Sequence, residues 1–276
     1  MQEAPFDHSS RRWQDLPYES DLPPRARARF PMTNNYDPIA EQYKRSKLQP
    51  WRTYIECFTL MKLIGDPRGL TVLDVGCGEG FFTRMIRERG ATRVTGIDLS
   101  RRMIELARTQ EAQQRLGIEY VVGDARGLPA TRQFDLVTAA YVLNYAHDPQ
   151  ELQMMYDGLA RCVRTGGRFV TVNCSPTLTF PDAPSYRKYG FETSVQKRWQ
   201  EGAPITWTFY LDDGPFEVEN YHLGTTTHEA ACRLAGFREV RWHPADLSPE
   251  GLAGYDRSFW STFLDHPPIA FIECTR

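Results

Sequence analysis

The sequence lacks the features that would tie it to a metal, a membrane or a polyanion. Its six cysteines (Cys57, Cys77, Cys162, Cys174, Cys232 and Cys274) form no CxxC pair and no local Cys/His cluster at metal-ligand spacing. No metal is expected, and reduced thiols in a cytoplasm fit this scatter. No apolar run approaches the roughly 18 to 20 residues that span a bilayer, and the first residues lack the apolar core of a secretory signal. The 33 Lys and Arg are offset by 35 Asp and Glu, a formal charge of −2 without a basic stripe. A nucleic-acid partner is therefore not expected, because phosphate binding needs clustered cations that displace counterions.

What is present is enough apolar material for a sizeable core: 41% hydrophobic residues in a chain of 276. Residues 1–31, with "DLPPRARARF", show no periodic apolar face and read as an irregular extension. Met32 makes a natural start for one folded domain over 32–276. From Leu70, short β-rich runs alternate with amphipathic ones, the pattern of a βαβ series and a parallel sheet. "TVLDV" and "RVTGID" are the first strands. Gly90 is placed to stop the first helix and Ser100 to cap the second. "IEYVVGD", "FDLVTAAYV" and "GRFVTVNC" supply further strands, the last preceded by a helix over Leu152 to Val163. After Cys174 the regularity breaks, and residues 176–204 read as an insertion that lines a binding site. "ITWTFYL" and "PFEVENYHL" follow as strands, "TTTHEAACRLAG" as a helix and "FREVRWH" as a closing strand.

The loop "VLDVGCGEGFFTRMI" decides the class. Gly76, Gly78 and Gly80 stand at alternate positions, and Phe81 falls where a dinucleotide-binding turn wants its third glycine. No Lys-Ser/Thr pair follows, which removes the P-loop reading. With Asp74 ahead of it, the loop resembles the D/E-x-G-x-G-x-G motif of the class I S-adenosylmethionine-dependent methyltransferases, in register over residues 70–175.

That resemblance implies an α/β fold: a Rossmann-like, mostly parallel seven-stranded sheet with helices on both faces, plus an N-terminal helical lid over residues 34–66. It implies S-adenosylmethionine as cofactor and S-adenosylhomocysteine as its product. Gly76 and Gly78 would let backbone approach the cofactor, with Cys77 between them as a small packed residue, and Asp74 would face its positive end. Asp98, 22 residues after Gly76, would accept the ribose hydroxyls, with Leu99 and Met103 beside it; Asp124 and Ala125 would meet the adenine. The segment "AAYVLNYAHD" would line the methyl-transfer site, with Tyr141 touching the cofactor.

Before this core, "NNYDPIAEQYKRSKLQPWRTYIE" resembles the lid helix of the same family. Tyr36 and Tyr43 share a helical face, although Pro38 puts Tyr36 just ahead of the helix; Tyr36 is expected to close over the methionine carboxylate end of the cofactor, and the region of Arg52 to order the lid. Residues 36–242 further resemble the toxoflavin-type azapteridine N-methyltransferases, which implies a small, flat, nitrogen-rich heterocycle as substrate. Tyr43, Tyr145, Trp199, Trp207, Tyr210 and His222 are the candidates to surround it. Asn144, Tyr141 and His222 are the candidate catalytic residues; Asn144 offers both a donor and an acceptor, and Tyr221 and His222 point to opposite strand faces. An activated donor asks mainly for alignment, worth on the order of 7–11 kcal/mol, and transfer to an electron-poor ring nitrogen could run in reverse. O- or C-methylation of an aromatic or quinone-like acceptor remains open, as does a cofactor-binding interaction protein without turnover.

Overall fold

The computed structural model describes residues 36–130 and 132–276. The expectations for the extension 1–31 and for a start at Met32 lie outside the described residues.

The core is a seven-stranded sheet in the order β3-β2-β1-β4-β5-β10-β9. Its parallel part is β1 (Thr71–Val75), β2 (Arg93–Asp98), β3 (Glu119–Val122), β4 (Phe134–Thr138) and β5 (Val163–Cys174). β9 (Glu239–His243) and β10 (Ile269–Thr275) add an antiparallel edge. Apolar side chains buried on both faces, such as Val72, Leu73, Val94, Ile97, Leu136 and Val137, explain the near-continuous hydrophobic runs that mark these strands. Two local signals act as expected: Ser100 Oγ accepts the backbone N–H of Met103 at the start of helix Arg101–Gln114, and Gly90 turns the chain with φ +104° after helix Phe81–Glu88.

Two parts of the expected sheet are rearranged. "FREVRWH" becomes β9 at the edge, and the strand that joins it to β5 is β10, near the C-terminus. "ITWTFYL" and "PFEVENYHL" become β7 (Pro204–Leu211) and β8 (Gly214–Tyr221), which leave the main sheet and pair with β6 (Phe191–Ser194) in a separate three-stranded antiparallel sheet. Alternation along β7 explains this: Ile205, Trp207 and Phe209 form one buried face, packed on Phe191 and, through it, on Trp51. A strand with one wet face belongs on a small covering sheet, not in the doubly covered centre.

The described part of the segment expected as a lid is largely helical. Tyr36 lies ahead of helix Ala40–Ser46, and a second stretch runs through a π-helical segment, Arg52–Cys57, into helix Phe58–Ile64. π-helical turns are uncommon and gather at functional sites. This one carries the buried side chains of Arg52 and Glu56.

Candidate functional site

The strand order reverses between β1 and β4, and the loops that leave their C-terminal ends enclose a cavity of about 260 Å³. The first loop contributes Gly76 and Gly78, the second Tyr141 and Val142. At Gly76, φ is +67° and an added Cβ would stand 2.4 Å from Val142 Cγ2. Only glycine allows the two loops to approach this closely. Tyr141 pays the opposite way: it is a non-glycine residue at φ +60°, pinned by its N–H to the Val172 carbonyl at 2.7 Å. Backbone strain of this kind costs roughly 1–3 kcal/mol and persists where the surroundings fix it.

Asp98 ends β2 with both carboxylate oxygens already used by backbone: Oδ2 accepts Gly78 N–H and Oδ1 accepts Ser100 N–H, each at 2.8 Å. Burial pushes its pKa up to about 6, partly offset by those donors. Asp37, from the lid, reaches across and accepts the Ser100 hydroxyl at 2.5 Å. At the other end, Asp124 pairs with Arg126 at 2.5 Å, Arg126 with Glu151 at 2.7 Å, and Glu151 with His147 Nδ1 at 2.6 Å. His147 Nε2 is buried with no partner. Carboxylates from Asp37, Asp98, Asp124 and Glu151 outnumber the guanidiniums of Arg101 and Arg126 on this wall, so the cavity favours a cation.

Under the lid, Tyr36, Tyr43, Tyr141 and Tyr145 line this cavity and also a second chamber of about 20 Å³. The rings of Tyr36 and Tyr43 meet edge-on at 5.1 Å, and the hydroxyls of Tyr36 and Tyr145 are hydrogen-bonded. Arg52, Trp51, Trp207, Phe209, Val218 and Asn220 close the small chamber. Behind it, Arg52 Nη1 donates to Glu56 Oε2 at 2.9 Å, Lys47 Nζ stands 3.7 Å from Glu56 Oε1, and the Tyr141 hydroxyl donates to Glu56 Oε2. Burial raises the Tyr36 and Tyr141 phenols well above their ordinary range, so both stay protonated and can donate.

Of the expected cofactor residues, Tyr36, Gly76, Gly78, Asp98, Leu99, Met103, Asp124, Ala125 and Tyr141 are brought to one cavity. Two are placed differently. Asp74 is buried behind the wall, accepting the Thr83 hydroxyl at 2.6 Å, with burial pushing it up to about 7. Cys77 turns under the loop against Gly96, and its buried thiol is pushed well up and away from the reactive thiolate.

Of the expected acceptor residues, Tyr43, Tyr145 and Trp207 line the chambers, and four others do not. Tyr210 has the opposite strand parity to Trp207 and lies beneath Arg187, whose guanidinium is 3.3 Å from its ring centre. His222 shares parity with Val218 and Asn220, but β8 ends at Tyr221 and its ring stacks on Trp199 at 4.2 Å. Burial lowers the His222 pKa there. Trp199 is held in that stack and against Phe180. Asn144 is buried within the short turn Leu143–Tyr145, its amide oxygen and nitrogen both unpartnered, and lines neither chamber. Sequence reasoning missed Asp37, Arg126 and Glu151 as cavity residues and Lys47 and Glu56 behind the chamber. Their only signal was charge, which says nothing of burial: Lys47, Glu56 and Glu151 are buried, Arg126 is half-buried and Asp37 is exposed.

Residues 72–167 match a family model described as a methyltransferase domain. The N-demethylindolmycin N-methyltransferase of Streptomyces griseus is 26% identical over 184 residues, 64% of this chain and 76% of that protein. A ubiquinone biosynthesis O-methyltransferase of Coxiella burnetii is 37% identical over 109 residues, 38% of this chain; the chain spans 45% of that relative's length. In fold, an S-adenosylmethionine-dependent methyltransferase from Mesorhizobium loti aligns with a TM-score of 0.59 and 22% identity, over 84% of this chain and all of that one.

The residues present fit that cofactor. The glycine loop leaves open backbone at Gly78, where an added Cβ would meet nothing closer than Met103 Sδ at 4.0 Å. Asp98 keeps lone pairs for ribose hydroxyls, and the acidic wall suits a sulfonium. Residues 72–167 thus match a methyltransferase domain, the chain carries them in a Rossmann-like methyltransferase fold, and as an enzyme it offers a cavity whose residues fit S-adenosylmethionine.

Proposed function

We propose that the chain N-methylates a small, flat, nitrogen-rich heterocycle of the azapteridine type. The observation that carries the reading is the tyrosine enclosure. Tyr36, Tyr43, Tyr141 and Tyr145 line both the cofactor cavity and the chamber beside it, where aromatic faces and hydroxyls suit a flat, polar ring. When bound, S-adenosylmethionine supplies a methyl group already activated by its sulfonium. The chain then aligns the acceptor: Asp98 and the glycine loop hold one reactant, the tyrosines orient the other, and the lid excludes water. The Streptomyces relative, matched over the longer span, is named as an N-methyltransferase.

The Coxiella relative gives a second reading, O-methylation of a phenol or quinone-like acceptor, which the same enclosure would also suit. Incubation with methyl-labelled S-adenosylmethionine and a panel of azapteridines, phenols and quinones, read by mass spectrometry, tests both. Label on an azapteridine nitrogen is the expected result. Label only on a phenol or quinone replaces the acceptor half of the reading, and tight cofactor binding with no turnover on any member favours an interaction protein. Reversal is tested with the labelled N-methyl product and S-adenosylhomocysteine, where labelled S-adenosylmethionine is the expected product.

A further inference from the structure

We infer that the small chamber is the seat for an exocyclic oxygen of the acceptor, received as an anion by Arg52 and Trp207. The inference rests on the methyltransferase reading and narrows its acceptor to a planar ring acid: a cyclic imide, a lactam or a phenol.

Size is the first argument. At about 20 Å³ the chamber holds one water-sized group and no ring. The tyrosines that line it also line the larger cavity, so a ring lying among them can extend one substituent into it.

Unmet hydrogen bonding is the second. Arg52 and Trp207 both line the chamber, and each is 3% exposed. Nε of Arg52 has no acceptor, and Nε1 of Trp207 has none beyond the weak one offered by the Cys174 sulfur. A buried N–H left unpaired costs about 1–3 kcal/mol. An oxygen placed between them would satisfy both.

Charge is the third. Lys47 and Arg52 are both paired to one carboxylate, Glu56, and the other carboxylate near Lys47, Asp74, is pushed up to about 7 by burial, so with Asp74 protonated one positive charge is left over behind the chamber. Around Arg52 stand Glu56 and the phenols of Tyr36, Tyr43 and Tyr141; around Lys47 stand Glu56, Asp74 and Cys57. An anionic oxygen neutralises the excess. It also presents the ring already deprotonated, so methyl transfer needs no separate base.

The test uses the full chain with S-adenosylhomocysteine and measures binding by calorimetry from pH 6 to 9. One probe is lumazine, a bicyclic imide that ionises in this range; the other is 1,3-dimethyllumazine, which cannot. Expected is an affinity for lumazine that rises with pH and ends at least tenfold above that for the dimethyl compound. Ionisation of Asp74 over the same range removes positive charge and acts against this trend, so a rise is assigned to the ligand. Arg52→Gln and Trp207→Phe should each shrink the gap at least fivefold, which a purely steric effect of the added methyl groups would not do. If Arg52→Gln does not fold, Trp207→Phe, which keeps the ring volume, carries the test.

Equal affinities at every pH, or a gap untouched by a folded variant, overturn the inference and leave the chamber to a water. If neither lumazine binds but 4-nitrophenol is preferred over 4-nitroanisole in a way that Arg52→Gln or Trp207→Phe abolishes, the oxygen seat stands and the heterocycle reading fails. Binding of none of the four probes overturns both.

Discussion

The hydroxyl of Tyr141, on the loop after β4, donates to the carboxylate of Glu56, on the π-helical turn of the lid. That bond joins the strained residue at the larger cavity to the charged group behind the small chamber. The lid is thus fastened from inside.

Breaking this fastening should cost stability. Tyr141→Phe removes one donor from a fully buried carboxylate and should cost about 1–3 kcal/mol. Glu56→Gln leaves Lys47 and Arg52 facing each other without compensation and should cost about 3–5 kcal/mol. Urea denaturation checks both, and the order of the two variants is the decisive result.

Cofactor affinity should follow the ionisation of Asp98. Its folded pKa is raised to about 6 by burial, and only the carboxylate can accept both ribose hydroxyls. The Kd for S-adenosylhomocysteine should therefore worsen roughly tenfold from pH 7 to pH 5. Calorimetry across that range checks it; Asp98→Asn should bind more weakly at pH 7 and show a flatter profile.

The same shifts act on stability with a definite sign. Asp74 and Asp98 have folded pKa values near 7 and 6, above the unfolded value, so between about pH 4 and 7 the folded state holds more protons. Their contribution should fall as pH rises through that window. In the cofactor-free protein, Asp74→Asn should make the denaturation midpoint less dependent on pH there, even if it changes the midpoint itself.

Gly76→Ala should fail for two separable reasons. The left-handed backbone costs a side chain about 1–2 kcal/mol, and the new Cβ would stand 2.4 Å from Val142 Cγ2. Adding Val142→Ala should recover the steric share and leave the backbone share. Thermal unfolding of the single and double variants separates them.

The lid should bind the cofactor through its first residues. Tyr36→Phe removes the hydroxyl contact to Tyr145, and Asp37→Ala removes the acceptor of the Ser100 hydroxyl. Each should raise the Kd for S-adenosylhomocysteine several-fold, with the folded core unchanged by circular dichroism. An unchanged Kd in both variants would dissociate the lid from cofactor binding.

What the sequence determined by itself is the cofactor half. Strands β1 to β4, the Ser100 cap, the glycine loop and Asp98 are specified by patterns within a few neighbouring residues, so hydrophobic period and turn chemistry sufficed to read them. Glycines at alternate positions already implied close backbone, and Val142 supplies the neighbour. The acceptor half was decided only by tertiary structure. Glu56 meets Tyr141 across 85 residues of chain, and Tyr36 meets Tyr145 across 109. No local period encodes such pairs. Strand parity separated Tyr221 from His222 without choosing between them, and parity says nothing of where a strand stops: β8 stops one residue short of His222. Trp207 and Tyr210 are neighbours in sequence and equally aromatic; burial of one face of a small sheet put one at the chamber and the other under Arg187. Long-range burial chose among side chains that the sequence left equivalent.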